Sequence, residues 1–321
     1  MPVAVTELEP GMVRVTLPLP WALDHVHCYA IAAGEGWTLI DSGLGGDATI
    51  RWWEEALADL GRPPVARIVI THYHPDHVGA GAALAELTGA REVVQGRLDA
   101  ELTRLAWGEG ADTDAFAEYL RGHGMPAEDA AHSAEAEQDT PVRFPHPTRL
   151  VEAGDSVWIG EERYAVHLLP GHADGHIALH GQTGGRLFGG DVLLDEITPN
   201  VGRWPDTAPD PLGAYLRTLD AIDDLAPAIV YPGHGPSIGD ASRRTAEIRA
   251  HHRERLDAHR HALEQGAETA HEVAQLVWAD EGLGFHEQRF ALVESISHLE
   301  RLLAEGRARR PAPGRWSPGA G

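Results

Sequence analysis

Up to about residue 240 the chain repeats one unit: a short apolar run, a glycine-containing turn, then a histidine or aspartate. Alternating or fully apolar runs predict strands over 13–17, 26–31, 37–40, 65–70, 92–94, 156–159, 164–169, 177–180, 186–190 and 228–231. Helical spacing predicts helices over 47–61 and 211–225, and another that starts at Gly79. In the first of these, Trp52, Trp53, Ala56, Leu57 and Leu60 form a stripe that belongs in a core rather than in a binding platform. From 97 to 147 the composition shifts to Ala, Glu, Asp and Gly. Modest helices are expected there over 98–106, 112–122 and 127–137, as an insertion that either covers the strand-end loops as a lid or decorates the surface.

Beyond residue 241 the pattern is helical, over 243–264, 270–278 and 288–304, which predicts a small helical or winged-helix domain. His251, His252, His259 and His261 fall on its long helix and are expected on a solvated face rather than at a metal. Residues 306–321 are rich in Arg, Pro, Gly and Ala, and are expected to be a disordered tail. The domain reading is therefore 1–241, with the insertion at about 97–147, then 242–305, then the tail.

Chemistry enters through the turns. Val65 to Ile70 runs straight into Thr71-His72-Tyr73-His74-Pro75-Asp76-His77, which places three imidazoles and a carboxylate at the end of a buried strand. Strand ends are where ligand loops gather in open α/β sheets, and imidazole and carboxylate are the usual zinc-ligand types. Asp41, His172, Asp191 and His234 occupy matching strand-end turns. His72 and His74 can converge on one ion with His172; Asp76 and His77 can face a second ion with His234; Asp191 can bridge the two. A hydroxide shared by two cations about 3.5–4 Å apart ionises near neutrality and attacks carbon or phosphorus. Asp41 fits a place behind a ligand histidine, fixing its tautomer, or else caps its own turn. Asp174 is expected to cap a turn rather than to touch substrate or metal, and His176 to be a buried, hydrogen-bonded residue at a strand start.

Composition narrows the choice. Cys28 is the only cysteine among 321 residues, which excludes an intrachain disulfide and a cysteine-based metal site, and its apolar surroundings mark it as a core residue. The net charge is −23 and every basic residue is arginine, so a phosphate backbone would be repelled. There is no run long enough to span a bilayer and no export pattern, so a cytoplasmic location without membrane contact is expected.

Taken in order, Asp41-Ser42-Gly43, the 71–77 segment, Pro170-Gly171-His172, Gly189-Gly190-Asp191 and Pro232-Gly233-His234-Gly235 resemble the motif set of the metallo-β-lactamase superfamily. The chain looks like its glyoxalase II and lactamase-beta-two-like branches over about residues 10–240. The resemblance implies an α/β fold, an αββα sandwich with a binuclear site between its sheets. It also implies the metal ligands His72, His74, Asp76, His77, His172, Asp191 and His234, with Asp76 and Asp41 serving catalysis. The C-terminal helices are similar to an appendage that frames the pocket or a homodimer contact. The expected activity is metal-dependent hydrolysis of a small acyl thioester, ester or lactone, with two divalent ions, zinc first and iron or manganese as alternatives. A mononuclear iron persulfide dioxygenase using His72, His172 and Asp191 is the second reading. A ribonuclease or phosphodiesterase is the third, and the acidic charge disfavours it.

Overall fold

The computed structural model describes residues 3–108 and 111–319, which form two compact units. The first comprises Met1–Ala111, Thr140–Thr198 and Leu225–Ala241. Its larger sheet has seven strands whose spatial order follows the chain: β1 (Ala4–Glu9), β2 (Met12–Pro18), β3 (His25–Ile31), β4 (Trp37–Ile40), β5 (Val65–Ile70), β6 (Glu92–Gly96) and β7 (Arg149–Val151). β1 to β4 are antiparallel, and β4 to β7 are parallel. Helices follow three of the strands: α1 (Asp47–Asp59) after β4, α2 (Pro75–Val78) and α3 (Gly81–Thr88) after β5, and α4 (Arg97–Trp107) after β6. The second sheet is ordered β12-β11-β10-β9-β8, from β8 (Ser156–Ile159), β9 (Glu162–Leu168), β10 (Ile177–Gly181), β11 (Arg186–Gly190) and β12 (Ile229–Pro232).

Side chains alternate across a strand, so a strand covered on both faces needs apolar residues at every position. Ile68-Val69-Ile70 meets that demand. Ile68 and Ile70 join Val15, Leu17, Cys28 and Leu39 beneath Trp53 and Ala56 of α1 and Leu84 of α3. Val69 points the other way, with Tyr29, Ile40 and Val94, into Val166, Leu179, Phe188 and Tyr231 of the second sheet. The two sheets are thus stacked face to face, with helices on the far side of the larger one.

The second unit comprises Asp112–Asp139, Pro199–Asp224 and Ser242–Gly321. It holds α5 (Thr113–Gly122), α6 (Ala127–Gln138), α7 (Pro211–Leu225), α8 (Ala241–Glu264), α9 (Ala270–Val277) and α10 (Phe285–Ala304), followed by the strand pair β13 (Ala308–Ala312) and β14 (Arg315–Pro318). Buried Arg289 of α10 donates to Glu137 Oε2 (2.6 Å) and to Ser133 O (3.3 Å), which ties α6 into this unit. The Thr269 hydroxyl and the Glu272 carboxylate form a capping box that starts α9.

Two expectations need correction here. The segment from 306 to 319 is a β-hairpin rather than a disordered tail; Trp316 is 1% exposed, and Arg310 lies over its ring at 4.5 Å. Residues 320 and 321 of that expected tail lie outside the described residues, as do 109 and 110 of the insertion. Three helices followed by a hairpin is the order of a winged helix, and the hairpin is its wing. His252 and His259, expected on a solvated helix face, are buried. They stand in register with Thr245, Ile248, Leu256 and Leu263, all buried, so the histidines occupy core positions of an ordinary helical stripe.

Candidate metal centre

Strand direction explains why distant turns meet. β4 and β5 run parallel; β9, β11 and β12 also share one direction, because β9-β10-β11 alternate and β11-β12 are parallel. Asp41 follows β4, the 71–77 segment follows β5, and His172, Asp191 and His234 follow β9, β11 and β12. Hydrogen bonds lock the two sheets together at this edge. His27 N–H donates to Gly233 O (2.7 Å), Tyr29 O–H to Pro232 O (2.6 Å) and His234 Nδ1–H to His25 O (2.6 Å).

All seven residues expected as ligands converge, and all but half-buried His74 are buried. Ligand atoms of His72, His74 and His172 lie within 4.8 Å of one another, and so do those of Asp76, His77 and His234. Asp191 stands between the two triads: its Oδ2 is 3.6 Å from His172 Nε2, 3.4 Å from His77 Nε2 and 3.2 Å from His234 Nε2. So close an approach depends on Gly233, where a Cβ would meet Asp191 Oδ1 at 2.3 Å. Nε2 of His72, Nε2 of His77 and Oδ1 of Asp191 are buried without a hydrogen bond. Buried polar atoms are normally satisfied, so these orphans at a common point fit a cation.

The other imidazole nitrogens are committed. Asp41 accepts from Thr71 N–H (2.8 Å), from the Thr71 hydroxyl (2.9 Å to Oδ2) and from His77 Nδ1–H (2.9 Å). Because the Thr71 hydroxyl has one proton and gives it to Asp41, its oxygen accepts from His72 Nδ1–H at 3.0 Å. Asp41 thus fixes one histidine of each triad with its Nε2 lone pair facing inward, directly for His77 and through Thr71 for His72. Its own φ of 61° is a strained conformation outside glycine, and these charge-assisted bonds hold it there. Asp41 thus lies directly behind His77 and, through Thr71, behind His72.

Electrostatics divides the triads. Burial first, and the neighbouring imidazoles second, hold His72 well below the ordinary range; burial and then His172 take His74 down to about 3. Burial also opposes a charge on His77 and His234. The Asp191 and Asp76 carboxylates outweigh it, lifting His77 well up and His234 to about 10. In the absence of a cation, protons therefore occupy the acidic triad. His234 Nε2 then bridges Asp191 Oδ2 at 3.2 Å and Asp76 Oδ2 at 3.3 Å. A divalent ion would take over that role and release protons.

Some functional contacts had no sequence signal: the His25 carbonyl, set by β3 meeting the β12 turn, is one. His176 is buried at the start of β10 as expected, and it does more. Its Nε2 accepts from Asp191 N–H (3.1 Å) while its ring stacks on His72 at 4.5 Å. Asp174 is half-buried and outside the groups able to share an ion.

Comparison with known proteins agrees with this architecture. Residues 21–234 match the profile of the metallo-beta-lactamase superfamily, and 256–314 that of the metallo-beta-lactamase-like C-terminal domain. The chain is 28% identical over 312 residues to the probable metallo-hydrolase YqjP of Bacillus subtilis, covering 92% of each. A hydroxyacylglutathione hydrolase of Cereibacter sphaeroides is 32% identical over 170 residues, 53% of this chain and 48% of that one. The crystal structure of a metallo-beta-lactamase family protein from Thermus thermophilus superposes with a TM-score of 0.85 at 32% identity, covering 97% of this chain and all of that one.

Proposed function

The chain belongs to the metallo-β-lactamase superfamily, and on that premise we propose that it is a binuclear metallo-hydrolase acting on a small acyl thioester, ester or lactone. The observation that carries this reading is the pair of triads joined by one carboxylate, with inward-facing ligand atoms left unsatisfied. Completeness of the Asp76, His77 and His234 triad favours two cations over the single-iron alternative. The acyl substrate class draws support from the hydroxyacylglutathione hydrolase among the relatives.

Two divalent cations, zinc first and iron or manganese as alternatives, would supply Lewis acidity and a water that ionises near neutral pH. The remaining work falls to the chain. His72, His74 and His172 hold one position, Asp76, His77 and His234 the other, and Asp191 faces both. Asp41 and Thr71 keep two of the imidazoles in the tautomer that offers Nε2, so no ring has to turn when substrate arrives. Asp76 also gives this centre a second carboxylate, beside His77 and His234, that can accept a proton.

A nucleic-acid substrate is disfavoured beyond the net charge of −23. Three of the four arginines in the hairpin segment are already paired, Arg307 with Asp257 (2.5 Å), Arg315 with Glu268 (3.0 Å) and Arg310 with Glu300. No helix among the described residues is long and apolar enough to cross a membrane.

The test is metal analysis of purified protein, then turnover of acyl thioesters, lactones and phosphodiesters by the metal-loaded form. Thioester or lactone hydrolysis that is lost in Asp76→Ala is the expected result. Activity that survives the substitution intact overturns the mechanism.

A further inference from the structure

The helix that opens the insertion, α4, holds main chain directly beside the ligands of the His72–His74–His172 triad. Tyr73 is the residue between His72 and His74, and both of its peptide groups are held from α4. Trp107 Nε1–H donates to Tyr73 O at 2.8 Å, and the Tyr73 N–H is directed at the Asp99 carboxyl. Asp99 is fully buried at the first turn of the helix. Gln95 Nε2–H donates to its Oδ2 (2.7 Å) and to Thr103 Oγ1 (2.8 Å), whose hydroxyl in turn donates to Asp99 O (2.8 Å). Gln95 therefore holds the carboxyl through Oδ2, and Thr103 holds Gln95 and the Asp99 main chain.

The same turn supports the second loop of that triad. Gly175 lies between His172 and His176, and a Cβ on it would meet the Asp99 N and Cα at 2.5 Å. Main chain thus rests on main chain there. α4 touches the 71–77 segment at Tyr73, between His72 and His74 and ahead of Asp76 and His77, and it touches the segment carrying His172 at Gly175. The anchors of the other triad lie elsewhere: His234 on the His25 carbonyl, and His77 on Asp41.

We propose that Asp99 and Trp107 are positioning residues for the His72–His74–His172 position. By fixing the Tyr73 peptides they set the affinity of one of two cation positions and leave the other unchanged. This rests on the binuclear reading, which adds no role for α4 of its own. Partners one step behind metal ligands typically change affinity by about 10–100-fold, and the same scale is expected here.

Metal-free protein is titrated with Zn²⁺ and with Co²⁺ by calorimetry, alongside the cobalt absorption spectrum. Wild type is compared with Trp107→Phe, which keeps an aromatic ring but removes the donor, and with Asp99→Ala. Thermal midpoints without metal report whether each variant is folded. The expected result is two binding steps in wild type. In Trp107→Phe one step is weakened by about ten-fold or more and the other is unmoved, and the metal-free midpoint stays close to wild type. Equal weakening of both steps, or no change in either, overturns the proposal. A wild type that takes up fewer than two ions overturns the binuclear reading and this inference with it. If Asp99→Ala fails to fold, Trp107→Phe decides the matter alone.

Discussion

Each unit of this protein buries a cluster of histidines, and the two clusters are built for opposite ends. In the first unit, carboxylates are interleaved with the rings, and lone pairs from three directions meet within 4.8 Å. In the second, His252, His259 and His298 lie together between α8 and α10 with no carboxylate among their ring hydrogen bonds. His298 Nδ1–H donates to Glu294 O (2.8 Å) and its Nε2 accepts from His252 Nδ1–H (3.2 Å). His259 Nδ1–H donates to Arg255 O (2.6 Å), its Nε2 accepts from the Ser295 hydroxyl (3.1 Å), and its ring stacks on His298 at 4.6 Å. Burial holds these rings in the neutral form, and of the three only His252 has a ring nitrogen, Nε2, left without a hydrogen bond. Among the described residues they form no group able to share an ion. Histidine content alone therefore does not mark a metal site; the direction of the free lone pairs and the nearness of carboxylates do.

The largest expected effect comes from breaking the first cluster. Removing Asp191, the carboxylate that faces both triads, should lower hydrolysis by about a thousand-fold or more, since a catalytic cation loses its shared ligand. In contrast, His252→Leu should leave the number of bound metal ions unchanged. Metal analysis of both variants makes the comparison directly, and loss of metal from His252→Leu would break it.

Next in size is acid sensitivity of the second cluster. Burial drives His298 down to about 4, and burial, then His298, hold His252 and His259 well below the ordinary range. The unfolded chain thus binds these protons first, so the stability is present above pH 6.5 and is lost as pH falls toward 4. For His298 alone that amounts to about 3 kcal/mol. Glu294, pushed up to about 7 by burial, acts with the opposite sign: it is destabilising above the unfolded carboxyl range and is relieved as pH falls. The informative measurement is therefore a difference, urea unfolding of wild type against His298→Gln from pH 7 to 4. The variant should show the shallower loss on acidification, and parallel curves would refute the buried neutral state.

A smaller effect is expected at Asp41, where asparagine can no longer accept from both Thr71 and His77. Cation affinity should fall about 10–100-fold by calorimetry, and in both positions, because Asp41 supports one histidine of each triad. That separates it from the one-sided loss expected of Trp107→Phe. The smallest effect is at Thr269, whose replacement by alanine removes a helix cap and should cost about 1 kcal/mol, leaving metal binding untouched.

Much of this could be read from the sequence because the signal was local. A strand buried on both faces must be apolar throughout, and a ligand at its end must be histidine or aspartate. Asp41, the 71–77 segment, His172, Asp191 and His234 were therefore visible one by one. The wing was missed because Ala308–Ala312 and Arg315–Pro318 are arginine- and proline-rich, and only Ala308 and Trp316 of these strands are buried. His252 and His259 were misread although the signal was there: the spacing of Ile248, His252, Leu256 and His259 is a core stripe, whereas His261 is exposed as expected.

The amino-acid order by itself determined which residues could be ligands and which runs would be strands, because periodicity and side-chain chemistry are properties of neighbours along the chain. Tertiary structure alone decided which lone pairs face one another, because that depends on strand direction and on contacts between residues far apart. The 2.6 Å bond from His234 to the His25 carbonyl and the hold of α4 on Tyr73 are of that kind. No spacing rule encodes a hydrogen bond across two hundred residues.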